Sequence, residues 1–103
     1  MVLKMERNSD RPEVRRRNRT RLDIIASILT VATNGARKTH IMYQANLSFR
    51  QLEEYLKSLL EKNLLTISGE PNAPIYEITP QGIQYLKNFR ELSERLLGRE
   101  TST

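Results

Sequence analysis

A change of pattern in the middle of the chain, within the stretch KTHIMYQANLSFRQLEEYL (residues 38–56), constrains the fold more than any other feature. Apolar residues at helical spacing predict a short helix over residues 38–45, which the following Asn-Leu dipeptide ends. Ser48 stands three residues before Gln51, and this capping-box pattern predicts the start of a second helix. The stretch therefore predicts two helices joined by a tight turn.

The second helix of this pair continues to about residues 62–63, because an apolar stripe runs along it that consists of Leu52, Leu56, Leu59 and Leu60. Two helices joined in this way form a helix-turn-helix, whose second helix can insert its N-terminal turns into the major groove of DNA. On this stretch alone, an αα-hairpin packed into a small core is the alternative.

A further helix is predicted before the pair. Apolar residues at spacings of three and four cover residues 21–33, and Gly35 suits the left-handed conformation that often ends a helix. Pro12 leaves open a longer form of this helix that begins upstream.

A hairpin and a last helix are predicted after the pair. β-Branched and apolar residues on both sides of Gly69–Pro74 predict two short strands joined by a loop of about six residues. Thr79 and Pro80 suit the cap and the first position of a helix that runs to about Leu97.

This order of elements predicts a mainly α fold with a small β-hairpin, namely a winged helix-turn-helix with an additional C-terminal helix. At 103 residues the chain suits a single domain. We expect a basic N-terminal arm at residues 1–19, flexible or extending the first helix, and a winged-helix DNA-binding domain at residues 20–79. A C-terminal dimerisation helix at residues 80–98 and a flexible tail at residues 99–103 complete the predicted organisation.

The formal net charge of +5 lies entirely in the first 21 residues. That segment holds eight basic and three acidic side chains, whereas the other 82 residues hold nine of each. A segment so poor in aromatic and large aliphatic residues cannot bury enough surface to fold alone, and its charge suits a polyanionic partner. A solubilising tail is the other interpretation.

The composition also excludes several classes of protein. Zero cysteines exclude disulfides and thiolate catalysis, and the lone His40 argues against a metal site. The chain has no run of about 18 apolar residues and no export signal, so we expect a cytoplasmic protein without a membrane partner. Ser48 already has a role as a cap, and no catalytic triad or glycine-rich phosphate loop is present. We therefore expect neither an enzyme nor a bound cofactor.

Three motifs resemble a known family. RTRLDII begins the first helix, KTHIMYQANLSFRQLEEYLKSLLEKNLL covers the helix pair, and YEITPQGIQYL leads into the last helix, so the match covers about residues 19–90. They resemble small archaeal winged-helix DNA-binding proteins, which include chromatin-associated dimers held by an antiparallel coiled coil. The resemblance implies a homodimer that binds double-stranded DNA. Unlike a basic wing, however, the segment SGEPNAP has no lysine or arginine, and an 18-residue last helix rises only about 27 Å.

We expect DNA contacts from the basic arm, from the start of the second helix and from the third helix. Arg50 is the best candidate for a base contact, because a guanidinium can pair with O6 and N7 of guanine. The predicted DNA-binding residues are Arg15, Arg16, Arg17, Arg19, Arg21, Arg37, Lys38, Ser48, Phe49, Arg50 and Lys57.

The last helix predicts a dimer. Ile83 and Leu86 suit packing on their own domain, whereas Tyr85, Phe89, Leu92 and Leu96 recur at intervals of four, three and four residues, as in a coiled-coil interface. A small domain has little surface to cover the last two leucines, so we expect a homodimer. The alternative is that this helix folds back over the first helix and completes a monomeric core.

The sequence therefore predicts a double-stranded DNA-binding protein that acts as a transcription regulator or a nucleoid protein. A winged helix used as a protein-docking module, with a basic arm for an acidic partner, is the alternative. RNA ranks below duplex DNA, because we expect no exposed aromatic platform of the kind that stacks unpaired bases.

Overall fold

The computed structural model describes residues 19–97, in which three helices precede a hairpin and a fourth helix follows it. The helices are α1 (Arg21–Val31), α2 (Lys38–Ala45), α3 (Phe49–Glu61) and α4 (Pro80–Leu97), and the strands are β1 (Leu65–Glu70) and β2 (Ala73–Ile78). This arrangement confirms the predicted mainly α winged helix-turn-helix with an additional C-terminal helix. None of the described helices is long and apolar enough to cross a membrane.

Reciprocal capping boxes begin α1 and α3. The Oγ1 of Thr20 accepts a hydrogen bond from the N–H of Asp23 at 3.1 Å, and the Asp23 carboxylate accepts one from the N–H of Thr20 at 2.9 Å. Ser48 and Gln51 make the same two bonds at 3.1 and 3.0 Å. Each box satisfies backbone N–H groups that a helix start leaves unpaired. The predicted start of α3 is therefore confirmed.

Two residues with positive φ, Gly35 and Asn46, lie in the connections before and after α2. The first helix ends at Val31 rather than at residue 33, because a one-turn 3-10 helix (Ala32–Asn34) follows it. Gly35 has a positive φ of 79° but a ψ of 134°, so the predicted left-handed conformation was wrong. Asn46 has a left-handed conformation with a φ of 57°, which reverses the chain after α2. The N–H of Leu47 then donates to the carbonyl of Met42 at 3.0 Å. The left-handed Asn46 and this hydrogen bond together produce the tight turn between α2 and α3.

The core lies between the first three helices and the start of the hairpin. Its largest fully buried side chains are Ile28, Leu29, Ile41, Leu52, Leu59 and Leu65. Burying each of them contributes about 1.5–3 kcal/mol relative to leaving it exposed. Because α3 buries its leucine stripe here, its opposite face is left in solvent.

The wing is shorter in its loop than predicted. Glu70 pairs with Ala73 in the antiparallel ladder, so the connecting turn consists only of Pro71 and Asn72. The predicted six-residue loop was wrong because glycine and proline usually break strands, whereas Gly69 and Pro74 pair with each other here. On its other edge, β2 pairs with the segment before α2, through Tyr76 and Ala36 at 2.8 and 3.0 Å.

Thr79 joins the end of α3 to the start of α4. Its buried hydroxyl donates to the carbonyl of Asn63 at 2.7 Å and accepts from the N–H of Gly82 at 3.0 Å. A side chain at Gly82 would clash, since a Cβ there would lie 2.4 Å from the carbonyl oxygen of Leu64. The prediction that threonine caps this helix is confirmed.

The fourth helix packs on α1 through Leu86, which is buried. Ile83 does not pack as predicted, because it lies at the rim of a groove beside Ile78 and is 53% exposed. This helix therefore has exposed apolar side chains on more than one of its faces.

Thr79→Val preserves the shape of the side chain but leaves the Asn63 carbonyl and the Gly82 N–H without their hydroxyl partner. We expect the free energy of unfolding to fall by about 1–3 kcal/mol, measured by urea denaturation. Thr79→Ser keeps the hydroxyl and is the matched control, with a smaller expected loss. Equal stability of the valine variant and the parent chain would contradict this role for the hydroxyl.

Candidate nucleic-acid interface

The first turn of α3 presents three of the predicted DNA-binding residues. The hydroxyl of Ser48 is occupied by the cap, where it accepts the bond from Gln51. Phe49 is exposed, and the side chain of Arg50 is 90% exposed. Of the three, only Arg50 therefore presents an exposed charged group.

The exposed face of α3 has alternating charges. Arg50, Glu54, Lys57 and Glu61 follow one another at intervals of three and four residues, so they share one face of the helix. The Nε atom of Arg50 lies 3.8 Å from Oε2 of Glu54, whose side chain is 71% exposed. Exposed pairs of this kind contribute at most about 1 kcal/mol. Arg50 can therefore leave Glu54 for a phosphate or a base at small cost.

Lys38 is held more closely. Its Nζ atom lies 2.6 Å from Oε2 of Glu53 and 5.6 Å from the ring centroid of Phe49. The hydrogen bond to Glu53 raises the pKa of Lys38, although partial burial opposes the rise. Sequence reasoning missed Glu53. The available signal was its position four residues after Phe49, which puts both residues on the side of α3 that meets the start of α2.

Arg37 lies beside the wing. It precedes α2 as an exposed N-cap whose side chain makes no capping bond, and it forms no ion pair with another described residue. A cleft of about 330 Å³ separates the start of α2 from the wing turn. The cleft is lined by Arg37, Lys38, Thr39, Asn72, Ala73 and Pro74. This surface combines a free guanidinium with hydroxyl and amide groups.

The predicted basic arm is described only at its end. Arg15, Arg16 and Arg17 lie outside the described residues, and Arg19 begins them. The guanidinium carbon of Arg21 lies 5.5 Å from the ring centroid of Tyr55 on α3, within cation–π range. The end of the basic segment is thus in contact with α3.

Charge is also nearly balanced across the described part of the chain. Residues 19–97 contain ten basic and eight acidic side chains, which gives +2 of the total +5. The larger part of the net positive charge, +3, therefore lies in the segment before residue 19.

The predicted dimerisation residues are divided between core and solvent. Tyr85 and Phe89 are half-buried against the core, whereas Leu92 is 55% and Leu96 76% exposed. Leu22 of α1, which sequence reasoning missed, extends this exposed surface. A groove of about 180 Å³ is lined by Leu22, Tyr85, Asn88, Phe89 and Leu92.

A polar atom is buried beside this groove. The hydroxyl of Tyr85 has no hydrogen-bond partner among the described residues. Burial raises the pKa of Tyr85, and the nearby charge of Asp23 adds to the rise. An unpaired buried hydroxyl has a free-energy cost that a new partner can relieve.

A family model described as winged helix-turn-helix matches residues 18–96 of the chain. The uncharacterized protein MJ0287 of Methanocaldococcus jannaschii is 31% identical over 81 residues, which cover 78% of this chain and 79% of that protein.

Two solved structures share the fold. The crystal structure of Sso10a-2, a DNA-binding protein from Sulfolobus solfataricus, is similar with a TM-score of 0.65 and 25% identity, and the match covers 82% of this chain and 92% of that chain. MepR, a transcription regulator of the Staphylococcus aureus multidrug efflux pump MepA, is similar with a TM-score of 0.66 and 14% identity, over 88% of this chain and 70% of its own. The similarity to MepR concerns the fold alone.

Proposed function

Because the chain belongs to the winged helix-turn-helix family, we propose that it binds double-stranded DNA, with the N-terminal turns of α3 in the major groove. The similarity to Sso10a-2 and to the protein of Methanocaldococcus jannaschii confirms the resemblance to small archaeal winged-helix DNA-binding proteins. The observation that carries the proposal is Arg50, which is 90% exposed on the first turn of α3. Its guanidinium can pair with a guanine or with a phosphate.

The first turn of α3 can also contribute apolar contact. Phe49 is exposed next to Arg50, and an aromatic ring at this place suits the methyl group of thymine. Lys57, two turns further along the same face, is positioned for a phosphate. We assign Arg37 to the phosphate backbone as well, because it is exposed at the start of α2 and its side chain makes no capping bond there.

The basic arm supplies most of the electrostatic attraction in this proposal. Residues 1–21 hold all of the net charge, and Arg21 lies against Tyr55 of α3. An arm that starts here can follow the phosphates beside the groove that α3 occupies. The proposed organisation is an arm at residues 1–19, a winged-helix domain at residues 20–79 and a dimerisation helix at residues 80–98.

The biological role that we propose is that of a transcription regulator or a nucleoid-associated protein without enzymatic activity. Two basic and two acidic side chains alternate on the face of α3, which offers few groups for base readout. Phosphate contacts position a protein on DNA but do not read the sequence. Because the arm supplies many phosphate contacts and α3 supplies few base contacts, we expect binding with a small sequence preference, which suits an architectural protein.

We further propose that α4 forms a homodimer. The exposed Leu92 and Leu96 continue the half-buried Tyr85 and Phe89, and the groove beside them is bordered by Leu22. A second copy of α4 would cover this surface, since closed twofold pairing buries the same stripe on both chains. It would also hold two α3 helices at a fixed separation along the DNA.

The charge pairing on α3 also favours the alternative function, in which this face binds a protein. The two uses differ in their response to salt. Binding to duplex DNA weakens with log salt at a slope of about −0.9 per neutralised phosphate, whereas a mainly apolar interface shows no such slope.

Arg50→Glu reverses the charge at the proposed groove-facing turn and leaves the buried leucines of α3 unchanged. We expect affinity for a duplex to fall by about tenfold or more, since one direct contact is worth about 1–3 kcal/mol. Lys87→Glu on α4 is the matched control, with the same charge change on an exposed residue outside the helix-turn-helix. Fluorescence anisotropy at fixed salt measures both, and equal losses would mean that α3 is not the docking element.

Deletion of residues 1–19 should weaken binding to every duplex to a similar extent and make the salt dependence shallower. The reason is that the deleted side chains contact phosphates, which all sequences share. Titrations of two unrelated duplexes over a series of salt concentrations test both effects. If affinity and slope are both unchanged, the segment is a solubilising tail.

Leu92→Glu combined with Leu96→Glu places charges in the proposed dimer interface without changing the buried core. We expect sedimentation to show a folded monomer in place of a dimer, with weaker DNA binding because two linked contacts become one. Ile83→Glu is the control, since it adds a charge at an exposed apolar residue outside this stripe. A parent chain that already sediments as a monomer at micromolar concentration would refute the dimer.

A further inference from the structure

The ion pair between Lys38 and Glu53 is the shorter of the two ion pairs in the described part of the chain, at 2.6 Å against 3.8 Å for Arg50 and Glu54. It connects the first residue of α2 with the middle of α3. The ammonium group also lies over the ring of Phe49, one helical turn before Glu53. Two groups of α3 therefore hold the same lysine.

This lysine is located where a DNA backbone contact is expected. Lys38 lines the cleft that also contains Arg37, Thr39 and the wing residue Asn72. In a docked helix-turn-helix, the first helix of the motif crosses the phosphate backbone. Arg37 forms no ion pair with another described residue and can meet a phosphate there, whereas Lys38 already has a carboxylate partner.

Glu53 acts against DNA in two ways in this position. The carboxylate occupies one of the three N–H donors of Lys38 and offsets its charge, so a phosphate gains less from pairing with this lysine, and the carboxylate itself repels the phosphate. The pair is only partly shielded from water, since the side chains are 33% and 44% exposed. Pairs with this exposure contribute little to stability, so the fold does not require Glu53 to be charged.

We propose that Glu53 attenuates DNA binding by holding Lys38 in an ion pair that competes with the phosphate backbone. This inference rests on the proposed function and adds to it a residue that lowers affinity. The proposal predicts that Glu53 lowers the affinity for DNA, whereas a purely structural ion pair would raise it. A structural pair strengthens binding because it positions α2 against α3, whereas an attenuating pair weakens it.

The test is a double-mutant cycle with Glu53→Gln and Lys38→Gln, titrated against a short random duplex over a series of salt concentrations. We expect Glu53→Gln to bind roughly threefold to fivefold more tightly. Its salt slope should become steeper by about 0.9, the value for one additional neutralised phosphate. In the Glu53→Gln background, Lys38→Gln should restore the affinity and slope of the parent chain. In the parent background, the same lysine change should alter affinity by less than about twofold.

Two controls separate this effect from net charge and from misfolding. Glu91→Gln removes one negative charge from exposed α4, outside the helix-turn-helix, and should leave the slope unchanged. Thermal unfolding of each variant checks the fold, and Glu53→Ala provides a second neutral side chain that should also bind more tightly.

Several results would overturn the proposal. The first is that both neutral variants of Glu53 bind the duplex with weaker or unchanged affinity. The second is that the gain in affinity persists after Lys38 is also changed. The third is an equal gain in affinity in Glu91→Gln. A parent chain that binds no duplex would instead refute the proposed function, and this inference with it. The two failures are therefore distinguishable.

Discussion

The burial of one face of α3 is the constraint on which the rest of the structure depends. Leu52, Leu56 and Leu59 pack into the core formed with α1, α2 and the start of β1. Because a helix has a single orientation once its apolar stripe is buried, the opposite face must project into solvent. This orientation exposes Arg50 and Lys57, so the same packing that stabilises the fold also creates the candidate interface.

Electrostatics on this interface are balanced within the folded part of the chain. Each of the two best-placed cations of the helix-turn-helix, Lys38 and Arg50, has a glutamate partner on α3. The uncompensated positive charge is instead concentrated before α1, whose first residue, Arg21, contacts Tyr55 of α3. In the proposed complex, attraction to the polyanion comes mainly from the arm, while the folded domain sets the orientation.

The position of α4 follows from two contacts, one at its first turn and one in its first half. Thr79 attaches its first turn to the end of α3, and Leu86 packs on α1. Beyond that contact the helix continues past the core, so Leu92 and Leu96 are exposed within the described part of the chain. In the proposed homodimer, a second copy of α4 covers this exposed apolar stripe and removes it from water.

The sequence by itself determined the elements whose signals are local. The capping box at Ser48, the threonine cap at Thr79 and the leucine period of α3 act within a few residues, so α3 and α4 begin where predicted. The first helix ends two residues earlier than predicted, at Val31, and a 3-10 turn follows it. Contacts between distant residues were decided only by the tertiary structure. The short wing turn, the exposure of Ile83 and the pairing of Lys38 with Glu53 depend on which surfaces meet after folding. Residue spacing along one element cannot specify its distance to another element, and this distance determines which charges are paired and which remain free.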